Sequence, residues 1–260
     1  MMYTFSDLEQ DCKTVFDNAG MEDFDGKSSI GKLFEGAKKY IASVIEGHKT
    51  PVIQINIAGM NKLLRNNNYA ALMEKRVFTP RRMKGSYKDF IPVLSSCKVY
   101  MTFVEKESIP DVTKWMALLA AGKAGSTQAP LSKDGYRISM ESVIGKALSG
   151  RDTEVSTFGA KFSNMNEFEH ACRDVDNIFS DFLKGSVAGM DASIQRLSDL
   201  VDTLQRSITE GHLELSKPIL RSLSDTVLAT ARHADMYSVC TTLAITTGNA
   251  LNNTITELSK

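Results

Sequence analysis

The segment closest to a chemical motif is Gly26–Lys32, whose letters GKSSIGK match the glycine and lysine spacing of a phosphate-binding loop. Such a loop follows a buried strand, wraps a phosphate with backbone N–H groups, and places Ser or Thr after the lysine to hold Mg²⁺. Here Leu33 follows the lysine, and the letters before the motif, EDFD, are mostly acidic. The pattern therefore favours an ordinary turn that leads into a helix capped near Ser29.

Residue types that bind metals or act as nucleophiles are scattered along the chain. If Gly26 is aligned with the glycine of an EF-hand calcium loop, Met21 and Lys32 occupy positions 1 and 12, where carboxylates are needed. The sequence contains no HExxH or GxSxG pattern, and its four histidines are isolated: His48, His170, His212 and His233. We therefore predict no catalytic residue, no metal site and no cofactor, and we expect that the protein is not an enzyme.

A basic stretch is the best candidate for contact with a partner. Its cationic residues are Lys75, Arg76, Arg81, Arg82, Lys84 and Lys88. Phe78, Tyr87 and Phe90 lie between them, so the stretch has the composition of a surface that touches phosphates or stacks on bases. The alternative is a solvated loop, or one that meets an acidic surface on a neighbouring subunit.

The charges of the chain balance overall but are unevenly distributed. There are 31 basic and 31 acidic residues, so no net field steers the protein toward nucleic acid or an anionic membrane. Residues 1–25 carry seven acids against Lys13, whereas residues 62–88 carry eight bases against Glu74. The acidic segment of one copy is thus a possible partner for the basic stretch of another. We expect other protein subunits as partners, in a homo- or hetero-oligomer.

Composition indicates an ordinary globular protein, with 42% apolar and 24% charged residues. The four cysteines are far apart, which favours free thiols in a reducing compartment: Cys12, Cys97, Cys172 and Cys240. The acidic N-terminal region is unlike a secretory signal, and no apolar run approaches the roughly 18 residues of a membrane span. We expect a protein that is cytoplasmic when synthesised, and that is located in a virion if it is a virion component.

The most regular pattern in the sequence is a seven-residue apolar repeat. Its positions step alternately by three and four: Val187, Met190, Ile194, Leu197, Val201, Leu204 and Ile208. This spacing predicts a helix with one apolar seam along a partner helix, as in a coiled coil. The spacing alone does not decide whether the partner is in the same chain. Helical patterns at residues 168–182 and 220–258 favour packing within the chain.

The remaining patterns predict a mixture of helices and short strands. Helices are expected at 6–20 and at 29–47, as one or two short helices within 60–76, and from Pro110 onward. Alternation of apolar residues predicts a strand at 92–104 and a strand that leads into a helix at 136–148. β-Branched residues predict a short strand at 52–57, and one strand is expected at 155–158 within a polar connector. Residues 77–89 are expected to form a loop.

Together these patterns predict an α+β fold. A mixed domain covers residues 1–121, a loop-rich connector 122–164, and a helical hairpin or three-helix bundle 165–260. The predicted function is a non-enzymatic structural or assembly protein in a multi-subunit complex, and specifically a bacteriophage virion component. The alternative is a nucleic-acid-associated protein that acts through the basic loop at 75–88.

Overall fold

The computed structural model describes residues 5–18, 26–46, 54–80, 83–123, 134–148, 155–178 and 217–260, with the shorter pieces 192, 196, 199–200, 202–204, 206–207 and 210. The chain forms two compact units, each assembled from three stretches. Unit 1 comprises Met1–Lys49, Thr102–Arg137 and Ala188–Ser238, and unit 2 comprises Thr50–Met101, Ile138–Val187 and Val239–Lys260. The contiguous domain limits at residues 121 and 164 stay a prediction.

Helices dominate the described residues. In chain order the elements are α1 (Phe5–Asn18), α2 (Gly26–Glu46), α3 (Ile57–Asn66), α4 (Tyr69–Leu72), β1 (Arg76–Phe78), α5 (Tyr87–Phe103), a π-helical segment (Val104–Ser108), α6 (Ile109–Ala120), α7 (Asp134–Leu148), β2 (Val155–Thr157), α8 (Phe158–Lys161), α9 (Met165–Ile178) and the C-terminal helix (Lys217–Leu258). The two short strands pair antiparallel, with Val77 opposite Ser156. The helix-rich part of the prediction is confirmed, whereas the mixed α+β N-terminal domain is not.

The prediction of a strand at 92–104 is wrong, because these residues belong to α5 and the π-helical segment. Alternation in that stretch required Val99 to be buried and Tyr100 to face solvent. In the helix Val99 is 63% exposed and Tyr100 is buried. The buried side chains instead follow the helical spacing from Val93 through Cys97 to Tyr100.

Two further strand predictions also fail in the described residues. The strand expected to lead into the helix at 136–148 is helical from Asp134 onward. Of the segment 52–57, residues 52 and 53 lie outside the described residues, Gln54–Asn56 is irregular, and Ile57 begins α3. The loop expected at 77–89 is shorter than predicted, since β1 reaches Phe78 and α5 begins at Tyr87.

Several helix predictions are confirmed, and their caps explain the boundaries. Asparagine side chains begin α3 and α4: Asn56 Oδ1 accepts the Gly59 N–H at 2.8 Å, and Asn68 Oδ1 accepts the Ala71 N–H at 3.0 Å. Pro110 lies in the first turn of α6, as expected. Since proline lacks an N–H and crowds the carbonyl four residues earlier, the preceding turn widens into the π-helical segment, where the Ile109 N–H bonds to the Val104 carbonyl.

Unit 1 is held by helix packing and by polar links between helices. The helices α1 and α2 pack together, and they bury Leu8 and Phe34. The Lys38 ammonium lies 2.6 Å from the Asp202 carboxylate, and the Tyr40 hydroxyl donates to Asp235 Oδ1 at 3.3 Å. Each of these links joins two stretches that are more than 150 residues apart in the sequence.

Of the seven seam positions, the structure describes Leu204, which is buried. The other six lie outside the described residues: Val187, Met190, Ile194, Leu197, Val201 and Ile208. The neighbouring described residues 202–204 and 206–207 are helical, as predicted. The three-helix bundle of 165–260 is not confirmed, because α9 belongs to unit 2 and the C-terminal helix up to Ser238 belongs to unit 1.

The core of unit 2 contains a cluster of aromatic rings. Its members are Tyr69, Tyr87, Phe158, Phe162 and Phe168. The Tyr87 ring stacks on Phe162, with centroids 4.7 Å apart and planes 8° apart. The edge of Phe168 meets the ring of Phe162 at 5.0 Å. This cluster packs the start of α5, α8 and the start of α9 together.

Candidate anion-binding interface

The basic stretch divides into two groups that different elements hold. Lys75 and Arg76 lie at β1, whereas Lys84 and Lys88 flank the start of α5, and all four are exposed. The two remaining candidates, Arg81 and Arg82, lie outside the described residues. The stretch is therefore not one continuous loop.

The start of α5 is positioned by a capping box that the sequence reading missed. The Ser86 N–H and hydroxyl both donate to Asp89 Oδ2, at 3.2 and 2.9 Å, and the Asp89 N–H bonds back to Ser86 Oγ at 3.4 Å. These hydrogen bonds from Ser86 are the main reason that the pKa of Asp89 is lowered. Gly85 before the cap has φ of +67°, a conformation that favours glycine.

One carboxylate ties the start of α5 to the start of α9. Glu167 accepts the Lys88 N–H through Oε1 at 3.2 Å and the Ser163 N–H through Oε2 at 2.7 Å. Asn164 caps α9 by accepting the Glu167 N–H at 2.8 Å. Because Glu167 satisfies backbone donors from two helix starts, it fixes the position of Lys88.

Two lysines that are distant in sequence join Lys84 and Lys88. The Lys84 N–H donates to the carbonyl of Ala147 at 3.0 Å, which brings Lys84 to the end of α7 beside Lys146. The Lys161 ammonium donates to the Gly85 carbonyl at 2.7 Å. Lys161 is 9% exposed, and burial lowers its pKa. Lys146 and Lys161 were not predicted, because nothing in their local sequence links them to residue 85.

The other basic group, Lys75 and Arg76, lies near the carboxylate of Glu257. The Lys260 ammonium lies 2.7 Å from Glu257 Oε2, and it is the main cause of the lowered pKa of Glu257. Arg76 and Lys75 lower that pKa further, so both are close enough to Glu257 to act on its charge. The charge of Lys75 and Arg76 is thus partly balanced within the protein.

Two of the three aromatic residues of the basic stretch, Tyr87 and Phe90, do not present free faces. Tyr87 and Phe90 are fully buried, and Tyr87 is held in the aromatic cluster with its hydroxyl donating to the Phe78 carbonyl at 3.1 Å. Burial raises the pKa of Tyr87. Neither of these two rings is placed to stack on a nucleic-acid base.

Side chains of the C-terminal helix hold β1 and the start of α3. Thr254 Oγ1 accepts the Phe78 N–H at 2.9 Å and lies 3.4 Å from the Phe78 carbonyl. Asn252 accepts the Asn56 N–H and donates to the Gln54 carbonyl, both at 2.9 Å. These side chains pair with backbone groups as a neighbouring strand would.

The remaining candidates for chemistry are separate from this surface. The segment Gly26–Lys32 lies in the first turns of α2, so its backbone N–H groups are in helical geometry instead of forming a phosphate loop. His170 is exposed on α9, and His233 is buried with Phe103 at 5.8 Å. The other two, His48 and His212, lie outside the described residues. The four cysteines are buried free thiols.

Within the described ranges, no three His, Cys, Asp or Glu side chains are grouped so as to hold a metal ion. No helix in that part of the chain has the length and apolar character to cross a bilayer. No protein-family model, curated protein or solved structure matches this chain.

Proposed function

We propose that this chain is a non-enzymatic structural or assembly protein within a multi-subunit complex. The observation that supports the proposal is that polar side chains form hydrogen bonds and an ion pair between segments that are far apart in the sequence. Asn252 and Thr254 hold backbone groups of residues 54–56 and 78 in unit 2, and Lys38 and Tyr40 make the corresponding links in unit 1. Such links stabilise one defined fold, as a structural protein requires.

Exposed apolar side chains supply the contacts that an assembly protein needs. Val99 on α5 is 63% exposed and Ile138 on α7 is 55% exposed. Covering a valine side chain of this kind against a partner stabilises the contact by about 1 kcal/mol. We propose that the face of α5 around Val99 meets another subunit, either a copy of this chain or a different protein.

The specific form of this proposal is a bacteriophage virion component. It derives from the function class predicted from the sequence. Mass spectrometry of purified virions tests it, since the chain must be recovered from the particles in a fixed stoichiometry. If the chain is absent from all purified virions and is found only as free protein in the lysate, the proposal of a virion component is wrong.

Sedimentation velocity on wild-type protein and two variants tests the assembly proposal. V99D places a charge at the exposed valine, and N166D places the same charge at an exposed position of α9 in the same unit. We expect the wild type and N166D to form species heavier than the 28.6 kDa chain, and V99D to shift toward the monomer. If V99D and N166D sediment as species of the same mass, the face of α5 around Val99 is not the contact with another subunit.

A second candidate function is association with nucleic acid through residues 75–88. It is favoured by the exposure of Lys75, Arg76, Lys84 and Lys88. Among the described residues, no carboxylate lies within 4.0 Å of the side-chain nitrogens of Lys75, Arg76 or Lys88. Cations that are not in a direct ion pair attract the phosphates of a nucleic acid, and their binding releases the counter-ions that the phosphates held.

A further inference from the structure

Two of the buried thiols in unit 2 are in direct contact. Cys97 lies on α5 and Cys240 lies on the C-terminal helix, and both side chains are buried. A hydrogen bond joins the two side chains, and this bond together with burial raises the pKa of the Cys240 thiol. Because the two cysteines are far apart in the sequence, only the folded chain brings their sulfur atoms together.

The way the two helices are anchored agrees with this contact. The Phe78 N–H donates to Thr254 on the C-terminal helix, and the Phe78 carbonyl accepts the hydroxyl of Tyr87 at the start of α5. From this common point Cys97 lies ten residues along α5, or about 15 Å, and Cys240 lies fourteen residues back along the C-terminal helix, or about 21 Å. The two helices run antiparallel from residue 78, so the two cysteines reach a similar level in unit 2.

The surroundings of this pair favour a disulfide over a metal ion. Zinc sites in proteins use three or four protein ligands, and no third His, Cys, Asp or Glu side chain is grouped with the pair in the described part of the chain. The other two thiols have different neighbours. Cys12 donates to the Ser224 carbonyl in unit 1, and Cys172 lies near Tyr87. Of the four buried thiols, Cys97 and Cys240 are the two that are bonded to each other.

We propose that Cys97 and Cys240 form a disulfide bond between α5 and the C-terminal helix when the chain meets a low-molecular-weight disulfide such as oxidised glutathione. One cysteine attacks a sulfur of the glutathione disulfide as its thiolate, forms a mixed disulfide and releases one glutathione thiol. The second cysteine attacks the protein sulfur of that mixed disulfide, forms the Cys97–Cys240 bond and releases the other glutathione thiol. The two protein thiols lose two hydrogens in all, and the glutathione disulfide gains them.

Burial determines when this bond forms. A buried, protonated thiol is a poor nucleophile and glutathione cannot reach it, so the exchange needs the contact between the two helices to open. In a reducing compartment the cysteines stay thiols, and the bond forms once the chain is in an oxidising one. The bond closes a loop of about 140 residues, and such a cross-link stabilises a fold by restricting the unfolded chain. This inference does not depend on the assembly function, because it concerns a contact within one chain.

Disulfide mapping of the full chain tests the proposal. The protein is held at its urea midpoint in a mixture of oxidised and reduced glutathione, so that the helix contact opens and closes repeatedly, and is then returned to buffer without urea. We expect its mass to fall by two hydrogens. After the remaining thiols are blocked, proteolysis without reduction should give one linked pair of peptides, which contains Cys97 and Cys240. A different linked pair, glutathione adducts in place of a bridge, or four free thiols at every ratio of the two glutathiones would each overturn the proposal.

Two alanine variants and a stability measurement complete the test. C240A should lose the linked peptides, whereas C12A, which removes a buried thiol of unit 1, should keep them. Loss of the linked peptides in C12A would overturn the proposal, and the peptide map of the wild type decides the matter if C240A does not fold. The oxidised wild type should unfold at a higher urea concentration than protein reduced with dithiothreitol. An oxidised midpoint at or below the reduced one would show that the bond does not fit the fold, and would overturn the proposal.

Discussion

Replacement of Thr254 by valine tests how the C-terminal helix holds the small sheet. The Thr254 side chain is fully buried, and its oxygen accepts the Phe78 N–H at 2.9 Å. Valine has nearly the same shape but cannot accept this hydrogen bond. The variant also loses the 3.4 Å hydrogen bond from the Thr254 hydroxyl to the Phe78 carbonyl, but that carbonyl keeps the Tyr87 hydroxyl as a donor at 3.1 Å. Only the Phe78 N–H is therefore left without a side-chain partner.

The cost follows from that single unsatisfied donor. Leaving a buried N–H without a partner costs about 1–3 kcal/mol. Because the Phe78 amide is only partly buried, we expect T254V to lower the free energy of unfolding by about 1–2 kcal/mol. The control is T256V on the same helix, where the exposed hydroxyl bonds to the Asn252 carbonyl within the helix. Its removal should change stability by less than about 0.5 kcal/mol.

Urea unfolding followed by far-UV circular dichroism measures both variants. The slope m should stay at its wild-type value, so that a lower midpoint reports a loss of stability. A T254V midpoint equal to that of the wild type would refute the role of Thr254 as a partner for β1. An equal loss in T256V would show that removal of any threonine hydroxyl from this helix is costly.

Two other predictions concern buried thiols and one carboxylate. A thiol reagent should leave the four cysteines unmodified in the folded protein and label all four after unfolding: Cys12, Cys97, Cys172 and Cys240. Burial shields these thiols from the reagent, and it raises the pKa of Cys12 to about 12. Rapid labelling of the folded protein would contradict this prediction. The lowered pKa of Asp89 means that its charged form stabilises the fold above its unfolded pKa, near 3.8, and that this contribution is lost as pH falls through the lower folded value. D89N should therefore flatten the acid side of a plot of urea midpoint against pH, and an unchanged acid limb would show that Asp89 contributes nothing.

The boundaries of many helices were predictable from local chemistry. Apolar spacing identified α1 and α2. The Asn56 cap of α3 was missed, because residues 52–57 were assigned to a strand. Pro110 correctly marked the start of α6. These features depend on residues within one or two turns of each other, which is the range over which sequence patterns are informative.

The error at α5 has a clear physical origin. Between Cys97 and Phe103, apolar and polar letters alternate, which is typical of a strand with one buried face. Tyr100 counted as a partly wet residue, yet it is buried, and Val99 counted as buried, yet it is exposed. The serine and aspartate that cap the helix at 86 and 89 were assigned to a loop, so the start of the helix was missed.

The lysines around the Gly85 turn were only partly predictable for a different reason. Lys84 and Lys88 stood out as part of a basic stretch, but Lys146 and Lys161 are separated from them by more than 50 residues. Their approach depends on the Lys84–Ala147 and Lys161–Gly85 hydrogen bonds, which form only in the folded chain. The same applies to Thr254 and Phe78, which are 176 residues apart.

The mass of the wild-type protein in solution tests the central claim, that this chain is an assembly component, most directly. Sedimentation velocity should be run over a range of concentrations, on the protein alone and mixed with an extract of its source. We expect a discrete species of at least twice 28.6 kDa, formed by copies of the chain or with a partner subunit. A single species of 28.6 kDa under every one of these conditions would contradict the account.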